Sequence, residues 1–272
     1  MQIQVCARSQ IGNVRSKNED NLCFFETILP EKKEQNYVLT RSVCVDRPVF
    51  LGVFDGMGGY SGGERASVIM ARLASQIWKE NAGKLSANEL MLAICEDANL
   101  AVCQEMRNDE GMRMGTTASM LCFEKKKYTL CNIGDSPIFR FRDGVLTQEH
   151  QEHTERATYE SVTGQKADPK RKFRLTQNIG LFPDEISIEP YCTEGNLLPG
   201  DIYLICSDGI TDMVDPNQIA EILKTEKTAD AMAERLEQQA LEAGGKDNAT
   251  VICIMVLEES GLRKLWNQLT GR

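Results

Sequence analysis

The sequence has few of the residues that bind soft metals and no short motif that pairs them. It contains two histidines among 272 residues, and none of its ten cysteines forms a Cys-x-x-Cys pair. Zinc favours such His and Cys ligands, so a zinc protein is not expected. Several cysteines fall inside apolar runs, where a free thiol behaves as a small hydrophobic group. We therefore expect reduced thiols in the core of a cytoplasmic protein.

Long hydrophobic runs and an excess of basic residues are also absent. The longest uncharged apolar run near the C-terminus, Ala249–Leu257, has nine residues, whereas a membrane-spanning helix needs about 20. The N-terminal segment has no basic leader followed by an apolar stretch, so no secretory signal is expected. Forty acidic residues against 31 basic ones give a net charge of −9, which disfavours binding to nucleic acid or to an anionic membrane.

The residues that are present predict one domain that contains both strands and helices. With 42% hydrophobic residues, the chain can bury a substantial core. Short apolar runs bounded by Gly, Asp, Asn or Pro predict antiparallel strands. These runs are Ile3–Ala7, Asn21–Ile28, Val49–Phe54, Thr117–Phe123, Lys127–Ile133, Pro137–Arg142, Ile186–Cys192, Ile202–Cys206 and Ala249–Leu257. Helical periodicity predicts two pairs of helices, which begin near Gly63, Ser86, Pro216 and Thr228.

The order of these elements favours a particular architecture. Helices that arrive in pairs between runs of strands indicate antiparallel sheets with helices on the outside, rather than a parallel βαβ alternation. We predict one domain over residues 1–257 and a short amphipathic tail over residues 258–272. The polar stretch Thr147–Glu185, with a predicted helix at Gln151–Val162, is either a functional insertion or a solvated surface loop.

Acidic residues that are widely separated along the chain lie at the ends of predicted strands, and we call these positions acidic steps. They are Glu19-Asp20, Asp55, Asp208 and Asp247. A carboxylate at the mouth of a buried strand is unfavourable unless a cation meets it. Carboxylate oxygens are hard ligands that suit magnesium or manganese. The sequence therefore predicts a metal site where these strand ends meet.

Two further features suit phosphate chemistry at such a site. Gly56 lacks a Cβ, so its backbone carbonyl can approach an ion closely. Arg15 lies four residues before Glu19, and a guanidinium beside a metal cluster suits bidentate capture of a phosphate. Two divalent ions about 3.5–4 Å apart can activate a water that attacks phosphorus without a covalent enzyme intermediate.

The acidic steps belong to short blocks that follow one another over nearly the whole chain. The blocks are RSKNED (15–20), VFDGMGGYSGGERAS (53–67), GTT (115–117), NIGDS (132–136), LTQNIG (175–180), CSDGITD (206–212) and GGKDNATVI (244–252). In this order they resemble the type 2C metal-dependent protein serine/threonine phosphatases of the bacterial kind. The resemblance implies an α+β fold, a four-layer α-β-β-α sandwich of two antiparallel sheets flanked by antiparallel helix pairs.

The resemblance also implies a binuclear centre of two manganese or magnesium ions, with a third, weaker metal beside it. Asp55 would bridge the two metals, and Gly56 would contribute its carbonyl oxygen. Asp208 and Asp247 would be the other principal ligands, and Asp135 would hold the third metal together with Asp208.

Around this centre the resemblance implies supporting residues and a substrate. Asp20 would be a ligand or would support one, and Glu19 is a further candidate at a position where family members differ. Arg15 would bind the substrate phosphate. The implied partners are phosphorylated proteins, including a serine/threonine kinase or its substrates, and the enzyme would be a cytoplasmic monomer without nucleic acid or a transmembrane segment.

The sequence departs from the family pattern at two positions. Tyr60 stands where many relatives have a histidine that is a candidate general acid. A tyrosine, whose ordinary pKa is about 10, would be a different proton donor. Pro137 replaces an arginine that often follows the GDS step, a change that alters an ion pair without touching the metals.

Two other functions compete with metal-dependent hydrolysis. Ser61, within Gly59–Gly63, matches the G-x-S-x-G elbow of serine hydrolases, and only His150 and His153 could serve as its base. That elbow requires the serine directly at a strand-to-helix turn, whereas the preceding strand ends at Asp55. A catalytically weak, phosphatase-like scaffold that binds phosphoproteins is the more serious alternative. The retained metal carboxylates favour catalysis over both.

Overall fold

The protein is built on two six-stranded antiparallel sheets, seen in a computed structural model that describes residues 1–32, 35–58, 62–109, 113–168 and 173–258. In spatial order, sheet A contains β11 (Val145–Gln148), β10 (Ile138–Arg142), β13 (Ile202–Cys206), β14 (Ala249–Leu257), β1 (Gln2–Gln10) and β4 (Tyr37–Cys44). Sheet B contains β12 (Tyr191–Asn196), β9 (Lys127–Ile133), β8 (Ala118–Glu124), β5 (Val49–Phe54), β2 (Asn21–Phe24) and β3 (Thr27–Ile28). A two-stranded ribbon pairs β6 (Gly56–Gly58) with β7 (Met114–Thr116).

Helices cover the outer face of each sheet. The pair α1 (Gly62–Asn81) and α2 (Ala87–Asn108) packs on sheet B, where the ring of Phe50 stacks on Trp78 at a centroid distance of 4.5 Å. The pair α5 (Pro216–Thr225) and α6 (Ala229–Glu242) packs on sheet A. Two short helices, α3 (Glu155–Thr163) and α4 (Asp208–Thr211), complete the described helices. The predicted four-layer sandwich is confirmed.

Strand periodicity explains why the core divides into layers. Along β1 the side chains of Ile3, Val5 and Ala7 enter the core between the two sheets, whereas Cys6 faces the helices over sheet A. Successive side chains of a strand point to opposite faces, so a strand buried on both faces reads as a nearly continuous apolar run. The inner layer positions the strand ends of both sheets at a common edge.

The predicted helix starts are confirmed by their caps. The Ser86 hydroxyl accepts a hydrogen bond from the Glu89 backbone N–H, and the Glu89 carboxylate accepts one from the Ser86 backbone N–H. Pro216 occupies the first turn of α5, and the Thr228 side chain caps α6. The Ser86 and Thr228 side chains, and that of Asp215 before Pro216, accept hydrogen bonds from backbone donors that the first helical turn leaves unpaired.

Two predicted strands are wrong in their bounds. The run Asn21–Ile28 is a tight hairpin, because the chain turns at Phe25, whose φ is +60°. The run Ile186–Cys192 is mostly irregular, and β12 begins only at Tyr191. Pro190 precedes it and has no backbone N–H to donate to a strand partner, so pairing starts after the proline.

Most of the cysteines are buried free thiols. Eight of the ten cysteines are buried, and no disulfide joins any of those in the described residues. Burial raises the pKa of the Cys6 and Cys23 thiols to about 12, so both stay protonated at neutral pH.

Within the described ranges, no helix has both the length and the apolar character needed to cross a membrane. Apart from Glu258, the predicted tail lies outside the described residues.

Candidate metal centre

An acidic cleft of about 270 Å³ opens at the edge where the strand ends of both sheets meet. Residues from several separate sequence blocks line it: Arg15, Glu19, Asp55, Gly56, Met57, Gly58, Thr117, Asp135, Leu175, Asp208 and Asp247. Asp20 lies beneath the cleft and is only 1% exposed. The structure therefore brings together every residue that the sequence nominated for the metal site.

Asp55 is held between the end of β5 and the start of β6 by a clamp from Thr117. The Thr117 backbone N–H donates to the Asp55 carbonyl, and the Asp55 N–H donates to the Thr117 hydroxyl, both at 2.9 Å. The same hydroxyl is 2.7 Å from the Ser136 hydroxyl. The GTT and NIGDS blocks thus fix the backbone of Asp55, a role that sequence reasoning did not assign to Thr117 or Ser136.

Gly56 occupies a space in which no side chain fits. A Cβ at this position would lie well inside the van der Waals contact distance to the carbonyl oxygens of Gly63 and Glu19. The Ser67 hydroxyl donates to the same Glu19 carbonyl at 2.6 Å, so the start of α1 is tied to the loop before β2. The glycine is therefore required by the close approach of three backbone segments.

Asp208 begins α4 directly after β13, with its neighbour Ser207 joining the two sheets. The Ser207 hydroxyl donates to Asp20 Oδ2 at 2.8 Å and accepts from the Thr250 N–H at 3.0 Å. The Asp20 carboxylate is thereby held below Asp208, on the side of the core. Ser207 was part of a matching block, but the sequence contained no signal for this particular contact.

Asn248 is a further positioning residue that sequence reasoning missed. Its side-chain amide donates to the carbonyls of Ile11 and Lys17 at 2.9 and 2.8 Å, and its Oδ1 accepts from the Glu19 N–H at 2.8 Å. These three bonds hold the loop that carries Arg15. The sequence analysis identified Asp247 by its carboxylate but not its neighbour Asn248, because the residues that the Asn248 amide contacts are distant in sequence.

Arg15 is the cationic residue of the cleft lining, and it contacts Asp247. Its Nη2 lies 2.5 Å from Asp247 Oδ2, and the two side chains are 51% and 34% exposed. A guanidinium this accessible keeps donors available to a second anion. The structure thus places Arg15 beside the carboxylates that the sequence nominated for the metal site.

The carboxylates raise one another's pKa values. Burial, followed by repulsion from Asp20, Asp208, Asp135 and Asp247, raises the pKa of Asp55 well above its ordinary value. Burial and then the surrounding aspartates also raise the pKa of Asp208. Burial and then Glu152 raise the pKa of Asp135 to about 6. A bound cation would remove this repulsion, which is the electrostatic signature expected of a cation site.

The donor chemistry of the cleft fits hard divalent ions. Its walls carry carboxylate oxygens, and Gly56, which also lines the cleft, has no side chain of its own to shield its carbonyl oxygen. Among the described residues, no three His, Cys, Asp or Glu side chains are already closed into a cage around one point. Mutual repulsion and the contact between Asp247 and Arg15 both work against such closure.

The histidines offered as bases for a serine hydrolase have structural roles instead. His150 Nε2 accepts the backbone N–H of Ile138 at 3.1 Å, and His153 Nδ1 accepts that of Gly134 at the same distance. Burial lowers the pKa of both imidazoles, that of His150 to about 4. Ser61 and Tyr60 lie outside the described residues.

Two packed antiparallel sheets, outer helix pairs and an aspartate cleft at the sheet edge define a metal-dependent phosphatase type of fold. The model of the protein phosphatase 2C family matches residues 39–246, and the chain belongs to that family. It is 33% identical over 263 residues to the serine/threonine protein phosphatase PstP of Mycobacterium tuberculosis, covering 94% of this chain and 45% of that protein. Serine/threonine phosphatase stp of Listeria monocytogenes is 29% identical over 91% of this chain and 93% of its own length.

Solved structures agree with this assignment. A crystal structure of Mycobacterium tuberculosis PstP superposes with a TM-score of 0.75 at 30% identity, over 95% of this chain and all of that one. A structure of the PstP catalytic domain in complex with two manganese ions has a TM-score of 0.74 at 28% identity, over 95% of this chain and 100% of that one. This chain thus spans less than half of full-length PstP but the whole of the solved PstP chains.

Proposed function

We propose that the protein is a metal-dependent phosphatase that hydrolyses phosphoserine and phosphothreonine in proteins. The observation that carries the proposal is the convergence of Asp55, Asp208 and Asp247 on one cleft with Arg15 at its mouth. The manganese-bound structure of a relative and the names of several relatives support it.

The residues of the cleft have separate roles in this proposal, some in metal binding and one in phosphate binding. Asp55, Gly56, Asp208 and Asp247 would hold two manganese or magnesium ions, with Asp20 beneath them. Such ions lower the pKa of a bound water and neutralise phosphoryl oxygens. Arg15 would orient the phosphate so that the water attacks in a single step, without a phosphoenzyme.

Further residues complete the proposed site. Asp135 would hold a third, weaker metal with Asp208, and it faces the same cleft. Glu19, whose pKa is raised chiefly by burial, is a further candidate ligand. We propose residues 1–257 as the catalytic domain, in a cytoplasmic monomer whose partners are phosphorylated proteins, including a serine/threonine kinase or its substrates.

The proposal is tested by phosphate release from a phosphothreonine peptide. Protein stripped with chelator should be inactive, and manganese should restore release, because the carboxylates alone cannot neutralise the phosphate. Release that is equally fast with and without chelator would contradict the metal mechanism. A folded protein that binds manganese and the phosphopeptide but releases no phosphate would identify the scaffold alternative.

Arg15→Ala should raise KM for the phosphopeptide about tenfold at saturating manganese. A hydrogen bond to a charged group contributes about 1.5–3 kcal/mol, and about 1.4 kcal/mol corresponds to a tenfold change. The KM of Arg15→Lys should lie between those of wild type and Arg15→Ala, because an ammonium keeps the charge but cannot form the bidentate contact. Arg235→Ala removes an exposed arginine on α6 and serves as the control. Unchanged KM and kcat in Arg15→Ala would exclude the phosphate-binding role.

A further inference from the structure

An apolar groove of about 300 Å³, here called the methionine groove, lies beside the metal cleft. Its walls include Met57, Met106, Met114, Leu181 and Phe182. The volume is at the lower end of the range for ligand pockets, about 300–1,000 Å³, so the groove suits a side chain better than a large cofactor. Methionine side chains are flexible and polarisable, and they line surfaces that accept differently shaped apolar partners.

The groove is continuous with the metal cleft. Met57 and Gly58 line both cavities, and Gly56, directly before them, lines the cleft. Extended chain advances about 3.3–3.6 Å per residue. Because the two cavities share lining residues, a protein segment with its phosphate in the cleft can reach the groove with a residue close to the phosphorylated one.

A buried hydrogen-bond network holds the floor of the groove in place. The Asn99 side chain accepts from the backbone N–H groups of Gly180 and Leu181 and donates to the Leu181 carbonyl, at 2.7, 3.0 and 2.8 Å. Cys103 also donates to the Leu181 carbonyl, at 3.2 Å. Asn99 is 3% exposed, so the loop after the LTQNIG block is tied to α2 from inside the core. A floor held in this way is preformed, which lowers the entropic cost of binding.

The groove lining carries both signs of charge, so its apolar walls rather than a net charge favour an apolar occupant. Arg113 lines the wall, and its guanidinium lies 5.6 Å from the ring centroid of Phe182. Arg107 stands over the same ring at 5.3 Å. Glu185 also lines the groove, and Arg107 is paired with Asp184 at 3.4 Å, so these charges do not by themselves select the occupant. A lysine or arginine side chain entering the groove would lose its hydration against methionine and leucine side chains, whereas an apolar side chain would not.

We propose that the methionine groove is a specificity subsite that takes an apolar side chain of the substrate, such as leucine or methionine, next to the phosphorylated residue or one position further along. This inference rests on the proposed phosphatase function. It adds a sequence preference for the substrate that a metal centre alone cannot impose, because the metals would contact only the phosphate.

The test compares phosphothreonine peptides that carry leucine, alanine or lysine at the positions flanking phosphothreonine. Wild-type protein should favour the leucine peptide over the lysine peptide about tenfold in kcat/KM at the position that reaches the groove, since an apolar pocket discriminates by about 1–3 kcal/mol. Para-nitrophenyl phosphate, which has no flanking residue, measures the metal centre separately.

Leu181→Asp places a charge at the half-buried floor of the groove without changing the backbone bonds to Asn99. It should abolish the preference for the leucine peptide and leave turnover of para-nitrophenyl phosphate within about twofold. The matched control is Ile186→Asp, which alters a 45% exposed side chain of the same loop and should behave as wild type.

Three results would overturn the subsite. They are equal kcat/KM for all peptides with wild-type protein, an unchanged preference in Leu181→Asp, and equal loss on peptide and para-nitrophenyl phosphate in that variant. Wild-type protein that hydrolyses neither substrate with manganese present would overturn the proposed function, and the subsite with it.

Discussion

Asp55→Asn should abolish manganese-dependent phosphate release while preserving the fold. Even the loss of a group that only supports a metal ligand costs about 10–100-fold in metal affinity or activity. We propose Asp55 as a direct ligand of the metals, so we expect a loss of at least about 100-fold in kcat/KM. The substitution keeps the size of the side chain, and circular dichroism should be unchanged. Asp208→Asn should behave in the same way.

The same variant should be more stable than wild type when both are free of metal. Asp55 is crowded by buried carboxylates, and replacing it with an amide removes one of the repelling charges. A gain of about 1 kcal/mol would raise the melting temperature of a domain of this size by about 2–4 °C. Manganese should then stabilise wild type more than the variant.

Asp97→Asn, on the exposed face of α2, is the control and should change neither activity nor melting temperature. If Asp55→Asn retained activity within tenfold of wild type at saturating manganese, Asp55 would not be a metal ligand. A lower melting temperature of the chelated variant would contradict the repulsion argument instead, because it would show that the carboxylate stabilises the metal-free fold.

Gly56→Ala should cost about 3 kcal/mol or more in the free energy of unfolding and reduce activity by at least about 100-fold. Overpacking typically costs about 1–3 kcal/mol when side chains can move away. Here the added methyl group meets the backbone carbonyls of Gly63 and Glu19, which no rotamer change can relieve. The substitution would push α1 away from the loop before β2 and displace the Gly56 carbonyl from the cleft.

Gly83→Ala separates this steric effect from a simple loss of glycine. Gly83 has φ of +82° and open space around it, so alanine there should cost only about 1–2 kcal/mol of backbone strain and leave activity intact. Denaturant unfolding and phosphate release measure both variants. Gly56→Ala that unfolded like Gly83→Ala, with full activity, would show that the carbonyl contacts at Gly56 relax without consequence.

Much of the architecture follows from local patterns along the chain. Val49–Phe54, Lys127–Ile133, Ile202–Cys206 and Ala249–Leu257 were predicted with the bounds they have, because each is a buried run closed by residues that end strands. The capping box at Ser86 located α2 for the same reason. The predictions were poorer where the local pattern was weak.

β4 (Tyr37–Cys44) was not predicted, because it is an edge strand with one pairing partner and mostly exposed or half-buried side chains. The hairpin within Asn21–Ile28 was missed, because the turn at Phe25 has a positive φ that a phenylalanine in the sequence does not predict. The pairing of β4 depends on β1, which is distant in sequence, whereas the hairpin depends on the backbone conformation of one residue.

The sequence alone nominated the carboxylates that we propose as metal ligands, since an aspartate at the end of a buried strand is unfavourable without a cation wherever the strand lies. It also nominated Arg15 and Gly56 from residue type and position. Only the tertiary structure assigned Thr117, Ser207 and Asn248 to positioning roles, because their hydrogen bonds join segments that are remote along the chain. Only the tertiary structure placed the methionine groove beside the cleft, because its walls come from β6, β7, α2 and the loop that Asn99 holds.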